Sequence, residues 1–186
     1  MIVEIEKSIK ALEKGDIILL PTDTIWGICC DATNTKAINN ISKLKKRTKE
    51  KSFICLVSKI ELLEKIIGSI SEKILKILTQ SKKPTSFIFP NGRNLSKNVF
   101  ARDGSIAVRF VKNGFCKKLI DKYNKPIIAT SANISGEKFP KNYYEIDYKI
   151  IEGVDYIVAI NKNRELDKAS RIVKINSNNK IVEIRK

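Results

Sequence analysis

The sequence predicts an α/β protein in which helices cover a mixed β-sheet. Short apolar runs of strand length alternate along the chain with segments whose apolar residues recur at helical spacing, and such interleaving favours a mixed sheet with helices packed on it. The chain has 186 residues, enough for one domain with its own core. No repeat, low-complexity tract or linker is visible, so a single domain over residues 1–186 is expected.

The helical predictions rest on apolar residues three or four positions apart, followed by a residue that ends the helix. In residues 2–14 these are Ile5, Ile9 and Leu12, with Gly15 as the stop. The same reasoning predicts helices at 2–14, 35–46, 59–80 with a break near Gly68 and Ser69, and 113–123.

Strands are predicted where a short apolar run is bounded by turn-forming or polar residues. The first, at 17–20, is wholly apolar and is ended by Pro21, which is typical of a buried strand. The full set of predicted strands is 17–20, 53–57, 87–89, 106–108, 127–130, 156–160, 171–175 and 181–184. The polar, aromatic-rich stretch 136–147 is expected to form a loop.

The chain is strongly basic, with 36 Lys and Arg residues against 20 Asp and Glu and a net charge of +16. This excess favours anionic partners such as nucleotides, RNA or a membrane surface. It is equally compatible with Lys serving as the ordinary solvent-facing residue, because 42% hydrophobic and 30% charged residues are typical of a globular protein. The local clusters of charge therefore carry more information than the total.

The cysteine and histidine content argues against a protein-bound metal. Cys29, Cys30, Cys55 and Cys116 form no C-x-x-C pair and the chain has no His, so a zinc site is not expected. The lack of His also excludes a Ser-His-Asp triad. Reduced thiols, an N-terminus unlike a signal peptide and no apolar run of transmembrane length predict a cytoplasmic protein without a membrane partner.

The first candidate site is the segment 21–27, Pro-Thr-Asp-Thr-Ile-Trp-Gly, which follows a predicted buried strand. Its hydroxyls and carboxylate can cap the backbone of a turn, which is the structural interpretation. They can also line a substrate pocket beside a backbone left accessible by Gly27, which is the functional one. The segment alone is compatible with both.

The second candidate is the segment 43–51, in which six of nine residues are basic. A solvated helix end is one interpretation, since cations complement the helix dipole. If instead the helix ends near Leu44 and the chain continues extended, alternate residues share one side, with Lys46 on the other. Three cations would then lie together in a row suited to a polyphosphate, namely Lys45, Arg47 and Lys49.

The third candidate is the segment 130–133, Thr-Ser-Ala-Asn, directly after a predicted strand. Ligands commonly bind at the carboxyl ends of strands in α/β proteins, and the spacing lets Ser131 and Asn133 face one pocket. A turn closed by the same side chains is the alternative. Two single residues join this group: Arg109, whose charge requires an anionic partner if it is buried, and Ser170, which precedes a late strand. For each, a structural ion pair or a surface position is the alternative.

In this order the motifs resemble the YrdC-like family, and specifically its short TsaC-type members. They span almost the whole chain, and seven weak motifs in register make a specific pattern. The matching segments are 21–28, Lys45-x-Arg47, 84–87, 107–109, 131–133, 170–173 and Ile184-Arg185. The resemblance implies a twisted α/β sheet with flanking helices around a wide, concave, basic surface.

The resemblance also implies an activity, the condensation of L-threonine, bicarbonate and ATP to threonylcarbamoyl-AMP and pyrophosphate. This is a nucleotidyltransferase reaction, usually with Mg²⁺ accompanying ATP. Downstream threonylcarbamoyl-transferase proteins then modify adenosine in tRNA. RNA itself is a further expected partner of the basic surface.

Family correspondence assigns roles to individual positions. Lys45 and Arg47 are the expected catalytic residues and would hold phosphates. The expected threonine-binding residues are Thr22, Thr24, Arg109 and Ser170. The expected ATP-binding residues are Lys45, Arg47, Lys49, Ser105, Ser131, Asn133 and Arg185. Asp23 is a candidate general base solely because it neighbours the expected threonine-binding residues Thr22 and Thr24 in the sequence.

The chain departs from the family pattern at several positions, which affects substrate contacts more than the fold. They are Thr48, Ser52-Phe53, Leu56 and Ser86, and a closing Gly is missing after Arg185. A second domain like that of longer members is not expected within this sequence. Two alternative functions stay open: an RNA-binding module without synthesis, and a paralogue that forms another carbamoyl-adenylate, as in hydrogenase maturation.

Overall fold

A computed structural model describes residues 1–47, 53–166, 168–176 and 181–185. In these residues the predicted helices are confirmed, and the first ends at Gly15, whose φ of 85° is left-handed. The helices are α1 (Ile2–Lys14), α2 (Thr35–Leu44), α3 (Ile60–Ile67), α4 (Glu72–Gln80), α5 (Gly114–Tyr123) and α6 (Tyr148–Glu152). Among the described residues no helix is long and apolar enough to cross a bilayer.

The strands form one mixed, twisted sheet. They are β1 (Ile18–Pro21), β2 (Trp26–Asp31), β3 (Ile54–Val57), β4 (Thr85–Phe89), β5 (Ile106–Phe110), β6 (Ile127–Ser131), β7 (Tyr156–Ile157), β8 (Arg171–Ile175) and β9 (Ile181–Arg185). Their order across the sheet is β7-β1-β2-β6-β3-β5-β4-β8-β9. The sheet contains both parallel pairs (β1–β7, β3–β5, β4–β8) and antiparallel ones, which confirms the predicted mixed α/β class.

The core lies around the central strands. All residues of β1 are buried, as the apolar run 17–20 predicted, and all residues of β2 are buried as well. Helices α1 and α5 pack on each other, α2 packs along β2, and α3 and α5 contact β3. The middle of the sheet is thereby held rigidly, which positions the polar residues where these strands end.

Three elements differ from the sequence prediction. Strand β2 was missed, because the polar residues before it drew the whole segment 21–27 into a loop, whereas the chain re-enters the sheet at Trp26. Strand β7 has only two residues instead of the predicted five. The short helix α6 was also missed; it lies directly after the predicted loop 136–147 and is capped by the side chain of Asp147.

The prediction that the chain continues extended after Leu44 is wrong at Lys45 and Lys46. Helix α2 ends at Leu44, the condition on which the extended row of cations depended, but Lys45 keeps helical angles and Lys46 turns left-handed with a φ of 49°. The backbone N–H of Lys46 donates to the Lys43 carbonyl and that of Arg47 to the Ser42 carbonyl. This is a Schellman closure, in which the last helical carbonyls receive donors that an extended chain would not supply. Lys49 lies outside the described residues.

Candidate active site

One face of the sheet carries a pocket of about 410 Å³, here called the sheet pocket. Side chains two positions apart on neighbouring strands face it, as strand geometry requires. They include Ala107 and Arg109 of β5 and Ala129 and Ser131 of β6. Ile54 of β3 pairs in register with both alanines. Small residues at the centre of the face therefore create the hollow, and polar ones stand at its edge.

Gly27 widens this hollow at the start of β2. A Cβ atom there would lie 3.1 Å from Cγ2 of Thr22 and 3.3 Å from the carbonyl oxygen of Thr130. Both distances are tighter than ordinary contact, so a side chain would push on the pocket wall. Gly27 also pairs in register with Ser131 of β6. The glycine of the 21–27 motif is thus explained by close packing between two pocket-lining segments.

The hydroxyl of Thr22 closes the turn before β2. It donates to the Ile25 carbonyl at 2.6 Å and accepts from the backbone N–H groups of Thr24 and Ile25. The Thr22 and Thr24 hydroxyls lie 2.9 Å apart. Both side chains line the sheet pocket. The two interpretations of this motif are therefore compatible, since the capped turn is also what presents the hydroxyls.

Arg109 and Asp23 form a buried ion pair beside the sheet pocket. The Nη2 atom of Arg109 lies 3.0 Å from Oδ1 of Asp23, and their side chains are 4% and 10% exposed. The expected anionic partner of Arg109 therefore exists within the protein. Breaking such a pair would leave a charge uncompensated in the low-dielectric interior, which is strongly unfavourable. The ion pair therefore holds Arg109 in place. Asp23 is engaged by this contact and is not among the residues lining the sheet pocket.

Arg47 enters the sheet pocket from the end of α2. Its Nη1 donates to the Thr130 hydroxyl at 3.2 Å, and its guanidinium carbon lies 4.6 Å from the centre of the Phe53 ring. Burial lowers the pKa of Arg47, but an arginine stays protonated at neutral pH. Stacking on one side and hydrogen bonding at one tip orient a planar donor group that suits phosphate oxygens.

The far wall of the sheet pocket comes from β4, β8 and β9. The hydroxyls of Ser86 and Ser170 lie 2.9 Å apart, and both residues are buried. Arg185 donates from Nε and Nη2 to the Ser170 carbonyl, at 3.1 and 2.6 Å. Burial, and then the nearby Arg109, lower the pKa of Arg185. Ser86, a departure from the family pattern, thus supports a predicted site residue.

Lys45 is buried behind the sheet pocket, with 1% of its surface exposed. Its Nζ donates to the backbone carbonyls of Ser131 and Asn133, and its own carbonyl accepts from the N–H of Ser135. These bonds tie the end of α2 to the end of β6. In this arrangement Lys45 organises the site wall and is not among the residues that line the sheet pocket.

The structure brings most of the predicted residues together. Those lining the sheet pocket are Thr22, Thr24, Arg47, Arg109, Ser131, Ser170 and Arg185. Lys45, Ser105 and Asn133 do not line it. The expectation that Asn133 faces the same side as Ser131 is wrong, because β6 ends at Ser131 and the Asn133 amide donates to the Ile134 and Glu137 carbonyls. Ser105 instead donates its N–H to Asp103 and closes the turn before β5.

Sequence reasoning missed several residues of the pocket. Thr130 was within a named motif but was not singled out, although its hydroxyl holds Arg47. Phe53, which stacks on Arg47, was interpreted as part of a strand and named as a departure from the family pattern, without a role in the site. Phe139 lines the pocket from the stretch 136–147, whose aromatic content was the one available signal. Contacts between distant segments decide all three.

The described charged side chains that line the sheet pocket are all positive. Three arginines line it, and no carboxylate does among the described residues. Nor do these residues contain a group of three or more Asp, Glu, Cys or His side chains that could bind a metal. The lining combines guanidinium groups, hydroxyls and aliphatic side chains. It can therefore bind an anion that also carries a small apolar part.

Residues 10–186 match the Sua5/YciO/YrdC family model, described as telomere recombination. The threonylcarbamoyl-AMP synthase of Wigglesworthia glossinidia brevipalpis is 35% identical over 148 residues, covering 77% of this chain and 76% of that protein.

Two solved structures share the fold. P. abyssi Sua5 complexed with L-threonine superposes with a TM-score of 0.82 at 21% identity, over 97% of this chain and 53% of that one. Full-length HypF in the phosphate- and nucleotide-bound form gives a TM-score of 0.83 at 22% identity, over 98% of this chain and 28% of that one. The chain thus spans about half of the Sua5 protein and little more than a quarter of HypF.

Proposed function

Because this chain belongs to the Sua5/YciO/YrdC family, we propose that it is a threonylcarbamoyl-AMP synthase. It condenses L-threonine and bicarbonate to a carbamate and transfers the adenylyl group of ATP to it, releasing pyrophosphate. The observation that carries the proposal is the convergence of Arg47, Arg109 and Arg185 on one hydroxyl-lined pocket without a carboxylate among its described residues. The name of the Wigglesworthia relative supports the same activity.

The chemistry is dominated by negative charge. A carbamate oxygen attacks the α-phosphorus of ATP, while the bond from that phosphorus to the bridging oxygen breaks and pyrophosphate leaves. Nucleophile, nucleotide and leaving group are all anions, so they repel one another in water. Fixed guanidinium groups in a partly buried pocket offset this repulsion and align the reactants. Arg47, held by Thr130 and Phe53, is the residue best oriented for the phosphate.

Threonine fits the other side of the sheet pocket. Its carboxylate suits Arg109, and its hydroxyl suits the polar wall formed by Thr22, Thr24 and Ser170. Its methyl group suits the aliphatic floor. That floor consists of Ile54, Ile88, Ala107, Ala129 and Ile172. Asp23 acts in this scheme by positioning Arg109 through their ion pair.

Lys45 acts on the site from behind. Its ammonium group is bonded to the carbonyls of Ser131 and Asn133, so it fixes the end of β6, which carries Thr130 and Ser131 into the pocket. Its buried positive charge also adds to the field acting on the phosphates. The predicted catalytic importance of Lys45 is retained in this proposal, with positioning as its means.

Magnesium enters as part of the nucleotide substrate. The described pocket residues offer hydroxyls but no carboxylate, a donor set that suits an ion held mainly by phosphate oxygens and water. When bound, Mg²⁺ would neutralise charge on the polyphosphate. The product would pass to threonylcarbamoyl-transferase proteins that modify tRNA in the cytoplasm.

The test is product formation by the purified chain. With ¹⁴C-bicarbonate, L-threonine and MgATP, we expect a labelled threonylcarbamoyl-AMP peak after rapid chromatography. Pyrophosphate should appear in equal amount and only when threonine and bicarbonate are both present. Equal pyrophosphate release without threonine would contradict the proposal. Serine should react more slowly but measurably, because one methyl group discriminates by about 1–3 kcal/mol.

A further inference from the structure

A second cavity of about 720 Å³ adjoins the sheet pocket and is here called the basic cavity. It lies between the last turns of α2 and the segment 97–102 that follows β4. Its cationic lining residues are Lys43, Lys46, Arg47, Lys97 and Arg102. No Asp or Glu lies among the described residues that line it.

Several exposed cations of this protein are paired with carboxylates, whereas the basic cavity, among its described residues, groups cations other than Arg47 together without such pairing. Lys117, Lys122 and Arg171 each lie within 3.0 Å of a carboxylate oxygen. In the described part of the chain, by contrast, no carboxylate lies within 4.0 Å of the charged groups of Lys43, Lys46, Lys97 or Arg102. Grouping like charges without counter-charges is unfavourable unless an anion offsets it.

The two walls of the basic cavity are fastened together, so their spacing is a property of the fold. The Asn98 amide donates to the Asn39 side chain at 2.6 Å. The hydroxyls of Thr35 and Ser96 lie 2.9 Å apart, and the Ser96 N–H donates to the Ala32 carbonyl. These bonds join α2 and the segment before it to the segment that carries Lys97. The cavity is therefore prepared before a ligand arrives.

Arg47 lines both cavities. The two spaces therefore meet at the residue that is best oriented for a phosphate. A ligand whose one end lies in the sheet pocket and whose highly charged tail passes Arg47 would place that tail among the cations of the basic cavity.

We propose that the basic cavity binds the leaving pyrophosphate, that is, the β- and γ-phosphates of ATP, while the α-phosphate lies at Arg47 in the sheet pocket. This proposal rests on the proposed synthase function. When the carbamate oxygen bonds to the α-phosphorus, the electron pair of the broken bond stays on the bridging oxygen, which becomes an oxygen of pyrophosphate. Negative charge therefore grows on the leaving group, where Lys97 and Arg102 stabilise it.

The test measures binding of inorganic pyrophosphate to the full chain by calorimetry. In Lys97→Gln/Arg102→Gln, affinity should fall about tenfold or more, since two charge-assisted contacts to phosphate are lost. The matched control is Lys36→Gln/Lys73→Gln, which removes the same charge from exposed positions on α2 and α4. Its affinity should stay within about twofold of the parent, because distant exposed charges are screened.

The outcomes separate the site from the function. Equal losses in both double variants would reduce the effect to net charge and overturn the proposal. Unchanged pyrophosphate affinity with weakened binding of a short single-stranded RNA would overturn it in favour of an RNA contact. If pyrophosphate binding depends on Lys97 and Arg102 but the chain forms no adenylate, the site would be supported and the synthase function rejected. If the chain forms adenylate but Lys97→Gln/Arg102→Gln binds pyrophosphate as tightly as the parent, the synthase function would be supported and the pyrophosphate site rejected.

Discussion

The sheet pocket and the basic cavity share Arg47 but are built on different principles. In the sheet pocket the polar groups are bound to one another: Arg109 pairs with Asp23, and Ser170 is held by Ser86 and Arg185. In the basic cavity the cations other than Arg47 have no carboxylate partner among the described residues. Pairing within the protein fixes the orientation of the polar side chains. Cations without a carboxylate partner attract an anion without fixing its orientation.

This difference predicts a division of labour. Prearranged hydrogen-bond geometry gives selectivity, because a wrong ligand leaves buried groups unsatisfied. A cluster of exposed cations gives attraction that is nearly independent of ligand shape and weakens with salt. Substitutions in the sheet pocket should therefore affect folding and turnover together, whereas loss of a charge in the basic cavity should weaken anion binding with little effect of the charge itself on folding.

The largest effect is expected where the sheet pocket depends on a buried charge. Asp23→Asn removes the counter-charge of Arg109, which is 3% exposed. Leaving a buried charge without its partner should lower the free energy of unfolding by about 3 kcal/mol, measured by urea denaturation, and should greatly reduce adenylate formation. Lys122→Gln, which breaks the exposed pair with Glu6, is the control and should cost less than about 1 kcal/mol. If Asp23→Asn and Lys122→Gln lower the free energy of unfolding equally, the buried ion pair would be no more important for stability than the exposed one.

A smaller effect is expected at the residue that both cavities share. Arg47→Ala should lower kcat/KM for adenylate formation about a hundredfold, the usual cost of removing a group aimed at developing charge. Arg47→Lys keeps the charge but loses the planar fork that bonds Thr130 and stacks on Phe53. If orientation matters, Arg47→Lys should resemble Arg47→Ala. Activity close to the parent in Arg47→Lys would mean that charge alone suffices there.

The smallest effect concerns Lys46, which lines the basic cavity from a left-handed position. Lys46→Gly should raise the free energy of unfolding by about 0.5–1 kcal/mol, since glycine adopts this conformation without a Cβ penalty. Lys46→Ala keeps the penalty and should not stabilise the fold. Both remove the same charge and should weaken pyrophosphate binding equally. Stability is read from denaturation and affinity from calorimetry, so the two roles of Lys46 are separable.

Strong, local signals were predictable from the sequence. The helix at 2–14 with its stop at Gly15 and the buried strand before Pro21 were both confirmed, and the helix predicted at 35–46 exists and ends two residues earlier, at Leu44. The same holds for Arg109, whose charge required an anionic partner on general grounds. What failed was the path of the chain after Leu44, because backbone carbonyls at a helix end compete for the same residues that the charge pattern assigned to a phosphate.

The order of polar and apolar residues along the chain determined the fold class, since strand alternation and helical spacing are local and leave a periodic trace. The residues that face the sheet pocket were named mainly through the resemblance of short sequence motifs to a family. Tertiary structure alone decided which distant groups meet. It buried Lys45 against the carbonyls of Ser131 and Asn133, placed Thr130 and Phe53 around Arg47, and brought Lys97 opposite α2. Such contacts depend on sheet order and register, which join segments far apart in sequence and leave no periodic signal within either segment.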